Sequence, residues 1–342
     1  MKLLVGTYTG EGSDGIYSLD FDPIAGSLSN PQLVAETTNP SFVCISKDRQ
    51  YIYAVNETRS GMVSSFLWNH EDDNTTLISQ QPSEGDHPCH IELSEQEGLL
   101  AVANYSSGNI SIYSIDAPGT IASGPIIFQH QGSGPVVPNQ KGARAHCVRF
   151  APNGKFLYAV DLGIDQVVSY PIISGKVGES NAQVRLDPGD GPRHLIFHPN
   201  KDLAFVVNEL SSTVVSLQAD HQSGEFKRVD KASTLPEEFD GKNYCADIHI
   251  TQDGKFLYAS NRGHHSIAIF EVTGQGGLKR IAIEPVRGEW PRNFTLSPDD
   301  QFLLVANQNT NNVTVFEVNP ATGQLTYTGR EITISKPVSL RF

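Results

Sequence analysis

The chain has 342 residues, 38% of them hydrophobic, and a formal net charge of −13. That apolar content excludes a disordered chain, and the acidic balance argues against nucleic acid or an anionic membrane as the main partner, because both need a basic face. Thirty glycines and twenty prolines, beside 18% charged residues, favour strands and turns over helices.

The opening MKLLVGTYTG turns polar too early for a signal peptide, and no apolar stretch approaches the length of a membrane span. A soluble cytoplasmic protein is therefore expected. Within this opening, KLLVGTY (2–8) reads as a lone strand ending near Thr7. Residues Gly10 to Gly15 match G-x-G-x-x-G. The strand-like IYSLDF that follows offers no helix N-terminus for a pyrophosphate, so a dinucleotide role is set aside.

A repeated unit then runs along the chain. Each copy has a proline or small residue, an apolar run, a polar turn, a second apolar run and a closing Asn or Asp. The copies span 40–57, 88–105, 145–162, 192–209, 245–262 and 291–308. Their turn chemistry and apolar patterning predict β-hairpins. The closing residues Asn56, Asn104, Asp161, Asn208, Asn261 and Asn307 recur every 46 to 57 residues, the period of a four-stranded propeller blade. Further strands, joined by turns such as DPIAGSL, HQSGEF and NPATGQL, supply the outer pairs. The widest gap contains HQGSGPVVPNQKGAR (130–144), a Gly/Pro-rich segment expected to form a loop at a ring face. At the end, KPVSLRF (336–342) matches only the first strand of a hairpin and 2–8 only the second. Together they make a seventh hairpin. The expectation is one all-β domain over 1–342: a seven-bladed β-propeller closed by its terminal strands, which removes two free sheet edges. The cysteines Cys44, Cys89, Cys147 and Cys245 stand singly, which predicts reduced thiols rather than a zinc site or a disulfide framework.

Antiparallel pairing puts the start of each inner strand and the end of the next at one mouth of the central channel. The positions concerned carry Arg193, Arg262 and Arg292, three of the thirteen arginines, with Arg144 nearby. They also carry His90, His146, His194, Asp247 and Glu209. Such a mouth on an acidic protein points to a small anionic ligand, because arginine binds phosphate and carboxylate bidentately. The competing reading is that these arginines bridge blades through Glu57, Asp161, Glu209 and Asp247. Asn104 and Asn307 are counted as ligand contacts, although asparagines at such positions most often cap turns. Asp247 and His249 share a strand face, but two donors fall short of a calcium site, and no metal is expected.

The blocks GPRHLIFHPNKDLAFVVNEL, ADIHITQDGKFLYASNR, AHCVRFAPNGKFLYAVDLG and WPRNFTLSPDDQFLLVANQ resemble the propeller-type 6-phosphogluconolactonase family, which includes the fungal carboxy-muconate lactonising enzyme. The resemblance covers essentially the whole chain. It implies lactone chemistry without a cofactor, and a site made of His146, Arg193, Glu209 and Arg262. Around these four, His90, Asn104, His194, Asp247, Arg292 and Asn307 are expected to bind substrate. The leading expectation is hydrolysis of 6-phospho-D-glucono-1,5-lactone in the pentose phosphate pathway, by a monomer or weak homodimer. His146 or Glu209 would be the base, and Arg193 and Arg262 would hold the oxyanion or phosphate. The alternatives are a lactonase or lactone-forming isomerase acting on another anion, and a non-catalytic interaction scaffold. A scaffold would show an exposed apolar patch on a face and would need no convergent His, Arg and Glu.

Overall fold

The computed structural model describes residues 1–342 except 70, 95 and 97. Two residues in the turn of the second hairpin, 95 and 97, thus lie outside the described residues. The described strands form seven antiparallel sheets, each with a path of four strands. Six blades follow chain order. The seventh is sewn from both ends: Pro337–Arg341 is its inner strand, followed outward by Lys2–Thr7, Gly15–Asp22 and Ser27–Glu36. Val5 pairs with Leu340 and Leu4 with Arg341 across the closure. The all-β seven-bladed ring expected from the repeat is therefore observed, with its terminal strands adjacent.

Local chemistry explains the regularity. In the outer turns an Asx side chain caps the next backbone groups. Asp22 Oδ1 accepts from Ile24 N and Ala25 N, and Asn319 Oδ1 accepts from Ala321 N and Thr322 N. Gly26 and Gly323 then take φ of 63° and 69°, a left-handed conformation that glycine enters without strain. Any Cβ there would also strike a phenyl ring of the neighbouring blade, Phe302 or Phe256.

The core lies between blades. Leu3, Val5 and Leu340 of the closing blade pack with Leu304, Ala306 and Val315 of the preceding one. Each aliphatic side chain buried this way contributes about 1.5–3 kcal/mol. In the second and third blades the outer strand is split in two, Thr120–Ile121 with Ile126–Gln129 and Lys176–Val177 with Ala182–Arg185.

The inner strands are Val43–Ile45, Pro88–Ser94, Ala145–Phe150, Pro192–Phe197, Tyr244–Ile250, Pro291–Leu296 and Pro337–Arg341. Their side chains meet across the ring. The ring of Phe42 lies 5.8 Å from that of His194, three blades away. Residues 130–144 contain no strand. His130 pins their start, with Nδ1 2.7 Å from Asp161 Oδ2 and Nε2 2.8 Å from Tyr170 Oη.

Candidate active site

One backbone device, repeated around the ring, builds the site. Inner strands have a register shift near their start, and the residue skipped by the ladder is Cys89, His146, Arg193, Arg292 or Val338. In four of these five cases the preceding residue is proline, which has no N–H to continue a ladder. A bulge re-aims the unpaired residue, here toward the channel mouth. The partner strand supplies the second half. The residue after each closing position donates its N–H to the carbonyl two residues before the bulge: Tyr105 to His87, Leu162 to Arg144, Glu209 to Gly191, Gln308 to Trp290 and Tyr8 to Lys336. Glu57 donates likewise to Asn39 in the first blade, which has no bulge among the described residues.

These side chains enclose a cavity of ≈ 200 Å³ at one mouth. His146, Glu209, Arg262 and Arg292 line it, joined by Tyr8, Glu57, Cys89 and Tyr105. Glu209 is the hub of one wall. Arg262 Nη2 donates to Glu209 Oε2 at 2.6 Å and to the Cys245 carbonyl at 2.9 Å. Arg193 Nε lies 3.1 Å from the same Oε2 but off the line of its N–H, so this contact is an ion pair rather than a hydrogen bond. Arg193 Nη1 donates to the Ala246 carbonyl at 2.6 Å and lies 3.2 Å from His194 Nε2. The Arg262 guanidinium also lies 5.4 Å above the Trp290 ring.

On the opposite wall Tyr8 Oη donates to Glu57 Oε2 at 2.8 Å. Arg292 Nη2 stays 3.6 Å from that oxygen, and its guanidinium sits 5.4 Å from the Tyr8 ring centroid. The 130–144 segment ends in this wall. Arg144 donates to the Ser106 carbonyl at 2.7 Å and lies over Tyr105.

Electrostatics separate the two candidate bases. Burial, reinforced by Arg193, His194 and Arg292, pushes the His146 pKa well below the usual histidine range. Its imidazole is neutral at pH 7. Nδ1 lies 3.7 Å from Cys89 Sγ, and Nε2 has no protein partner among the described residues. Burial opposes ionisation of Glu209, but Arg262, Arg193 and Arg292 outweigh it and hold the carboxyl below its ordinary value. Glu209 is thus a committed carboxylate. Burial raises the Cys89 thiol pKa, which leaves it a poor nucleophile. Arg193 is lowered to about 10 by burial, with Arg262 and Arg292 adding to it, and stays charged.

Several residues expected at the mouth lie elsewhere. His194 and Asp247 sit deeper and are fully engaged. His194 Nδ1 lies 2.8 Å from Asp247 Oδ1, and His249 Nε2 lies 3.1 Å from Asp247 Oδ2. Asn293 donates to the same carboxylate. His194 therefore meets Arg193 and not the cavity; both residues act as support. His90 packs 4.2 Å from Phe42 and lines a separate cavity at the far mouth. Asn104 turns away from the cavity, donating to the Ser83 carbonyl in the link from the preceding blade at 2.9 Å and to Ser111 Oγ of its own blade at 3.3 Å, and Asn307 donates to Thr314 Oγ1 at 3.1 Å. Their amides serve blade structure, because a side chain at the closing position faces the next strand and its successor faces the mouth. The bridging reading holds in part: Glu209 and Glu57 meet arginines, whereas Asp161 meets His130 and Asp247 meets histidines. Tyr8, Glu57, Cys89 and Tyr105 are the lining residues left out of the expected set. Their signal was positional: Cys89 is a bulge residue, and the other three each follow a closing residue.

Fold and cavity define a class of protein: a seven-bladed propeller with an imidazole, a carboxylate and arginines converging at one end of its channel. A family profile described as "Lactonase, 7-bladed beta-propeller" matches residues 2–342, and the chain belongs to this family of lactone-hydrolysing enzymes. It is 35% identical to the 6-phosphogluconolactonase of Bacillus subtilis (strain 168), covering 99% of this chain and 97% of that one. Among solved structures it resembles a putative 6-phosphogluconolactonase from Bacteroides fragilis, with a TM-score of 0.92 and 33% identity, covering 100% and 97% of the two chains. It also resembles the periplasmic gluconolactonase of Pseudomonas aeruginosa, with a TM-score of 0.94 and 32% identity, covering 100% and 98%. Among the described residues no helix is long and apolar enough to cross a membrane.

Proposed function

We propose that this lactonase hydrolyses 6-phospho-D-glucono-1,5-lactone to 6-phospho-D-gluconate, the lactone-opening step of the pentose phosphate pathway. The observation that carries the reading is the charge balance of the cavity. Arg262 and Arg292 line the cavity with two carboxylates, Glu209 and Glu57, and Arg193, buried behind Glu209, adds a third guanidinium, so the cluster carries one net positive charge for an anionic substrate. The names of the full-length relatives from Bacillus subtilis and Bacteroides fragilis support the same substrate. A cytoplasmic setting accords with four free thiols.

In the mechanism we propose, His146 Nε2 takes a proton from water as the oxygen attacks the lactone carbonyl carbon. The tetrahedral oxyanion is stabilised by Arg193 and Arg262, which Glu209 and backbone carbonyls hold in place before reaction. Collapse breaks the bond between the carbonyl carbon and the ring oxygen. The His146 imidazolium returns its proton to that departing oxygen, which becomes the free hydroxyl. The new carboxylic acid loses its proton to solvent. His146 Nε2 has no protein partner among the described residues and can accept the proton, whereas Arg193 and Arg262 both occupy Glu209 Oε2, so the base is assigned to His146 and an orienting role to Glu209.

The test is hydrolysis of freshly made phosphogluconolactone by the purified protein, measured against spontaneous opening, beside D-glucono-1,5-lactone. Higher kcat/KM on the phosphorylated lactone is expected. Equal or higher kcat/KM on the unphosphorylated lactone would overturn the substrate reading.

A further inference from the structure

The cavity holds two arginine–glutamate pairs, one closed and one open, in which both glutamates follow a closing residue, as Arg262 does, while Arg292 is a bulge residue. Arg262 meets Glu209 at 2.6 Å, whereas Arg292 stays 3.6 Å from Glu57. The difference lies in a third group. Tyr8 donates its hydroxyl to the very oxygen of Glu57 that faces Arg292, and its ring lies 5.4 Å from the Arg292 guanidinium. Among the described residues Arg292 donates no hydrogen bond, although its side chain is 14% exposed and lines the cavity. A guanidinium removed from water without a hydrogen-bonded partner favours any anion that can supply one.

We infer that Tyr8 is a specificity-determining positioning residue: by holding Glu57 it keeps Arg292 open as the subsite for the anionic group of the substrate. The inference rests on the lactonase reading of this cavity and adds to it the division of labour between the walls. The Glu209 wall holds Arg193 and Arg262 for the reacting carbonyl. The Tyr8 wall reserves Arg292 for a phosphate or carboxylate carried elsewhere on the lactone. Tyr8 comes from the second strand of the closing blade, so this subsite exists only when the ends of the chain have met.

The test is Tyr8→Phe, which keeps the ring under Arg292 and deletes the hydroxyl. Glu57 is then released to close on Arg292 and compete with the substrate anion. KM for 6-phosphogluconolactone should rise by about tenfold relative to KM for D-glucono-1,5-lactone, the range expected when a charge-assisted hydrogen bond is lost to a competitor. Adding Glu57→Gln to Tyr8→Phe removes the competitor's charge and should restore the ratio, which a merely structural role for Tyr8 would not do. Inorganic phosphate, titrated by calorimetry, gives a second readout that does not depend on which lactone is turned over. It should bind more weakly to Tyr8→Phe and recover in the double variant. Equal loss on both lactones, or no rescue of phosphate binding by Glu57→Gln, overturns the inference. If phosphate follows the expected pattern while the parent enzyme does not favour the phosphorylated lactone, the subsite stands and the substrate reading fails.

Discussion

At the scale of the residue, the roles we propose for His146 and Glu209 rest on environment, since residue type leaves them open. Both were legible as mouth residues, and either could have been the base. What separates them is three-dimensional: two guanidinium groups converge on one oxygen of Glu209, while burial and neighbouring cations keep His146 neutral. His146→Ala should lower kcat by about 10²–10⁴-fold, the usual contribution of a general base. In the parent enzyme kcat should fall with acidification only below the ordinary histidine range, because the folded pKa is depressed. That acid limb should vanish in His146→Ala. Glu209→Gln should also lower kcat, yet keep the limb and move it to still lower pH, since removing a negative charge disfavours the imidazolium. A limb that disappears in Glu209→Gln and survives in His146→Ala would reverse the assignment. Rates and pH profiles of the two folded variants check both statements.

At the scale of the element, the informative unit is the pair of positions beside the closing residue. The recurrence of Asn56, Asn104, Asn208, Asn261 and Asn307 was plain in the sequence, and so was their grouping at one mouth. What was not plain is which way each side chain turns. Asn104 and Asn307 bond to the framework of the ring, whereas Tyr105 and Glu209, one residue after a closing position, reach the cavity. A single step along a strand reverses the side-chain direction, so an error of one position changes a ligand contact into a structural bond. The bulges were illegible for a related reason. They depend on pairing register, which periodicity does not specify, and only the proline before Cys89, Arg193, Arg292 and Val338 hinted at them. Asn104→Ala should therefore cost about 1–3 kcal/mol of stability, the loss of two buried hydrogen bonds, to the Ser83 carbonyl and to Ser111 Oγ, although that carbonyl keeps the Ser111 hydroxyl. The KM of the folded variant should stay that of the parent. Urea denaturation and steady-state kinetics on one preparation decide this. A large rise in KM with unchanged stability would return Asn104 to the substrate.

At the scale of the whole molecule, closure and channel chemistry are coupled, because the closing strands also carry channel residues. Leu340 is fully buried against the last blade and its backbone N–H donates to Asn293 Oδ1, which in turn neighbours Asp247. Leu340→Ala should cost about 2–5 kcal/mol, read from denaturant unfolding. The channel also predicts how the ring responds to acid. His90 and His146 are held well below the histidine value of 6.5, chiefly by burial and then by neighbouring cationic groups, and His194 is lowered to about 3 for the same reasons. In the unfolded chain all three regain ordinary behaviour. Below pH 6.5 the unfolded state therefore binds more protons than the folded one, and stability must fall as pH falls. Each histidine contributes about 1.4 kcal/mol per pH unit once the pH is well below 6.5, so the three together approach roughly 4 kcal/mol per unit. Glu209 and Asp247 have depressed folded pKa values. Their stabilising contribution is complete above the ordinary carboxylate value and is lost only at lower pH. In the window from 6.5 down to 4.5 the channel histidines lead, with His198 and His264, also lowered, adding to them and Glu92, whose carboxyl is raised by burial, opposing them. Calorimetric Tm measured across that window should drop steeply. In His90→Phe the drop should be shallower by about one proton's worth, because Phe has no proton to bind in the unfolded state. A Tm that stays level from 6.5 to 5 would mean that the channel histidines are already solvated in the folded ring, and the neutral-base assignment of His146 would lose its physical ground.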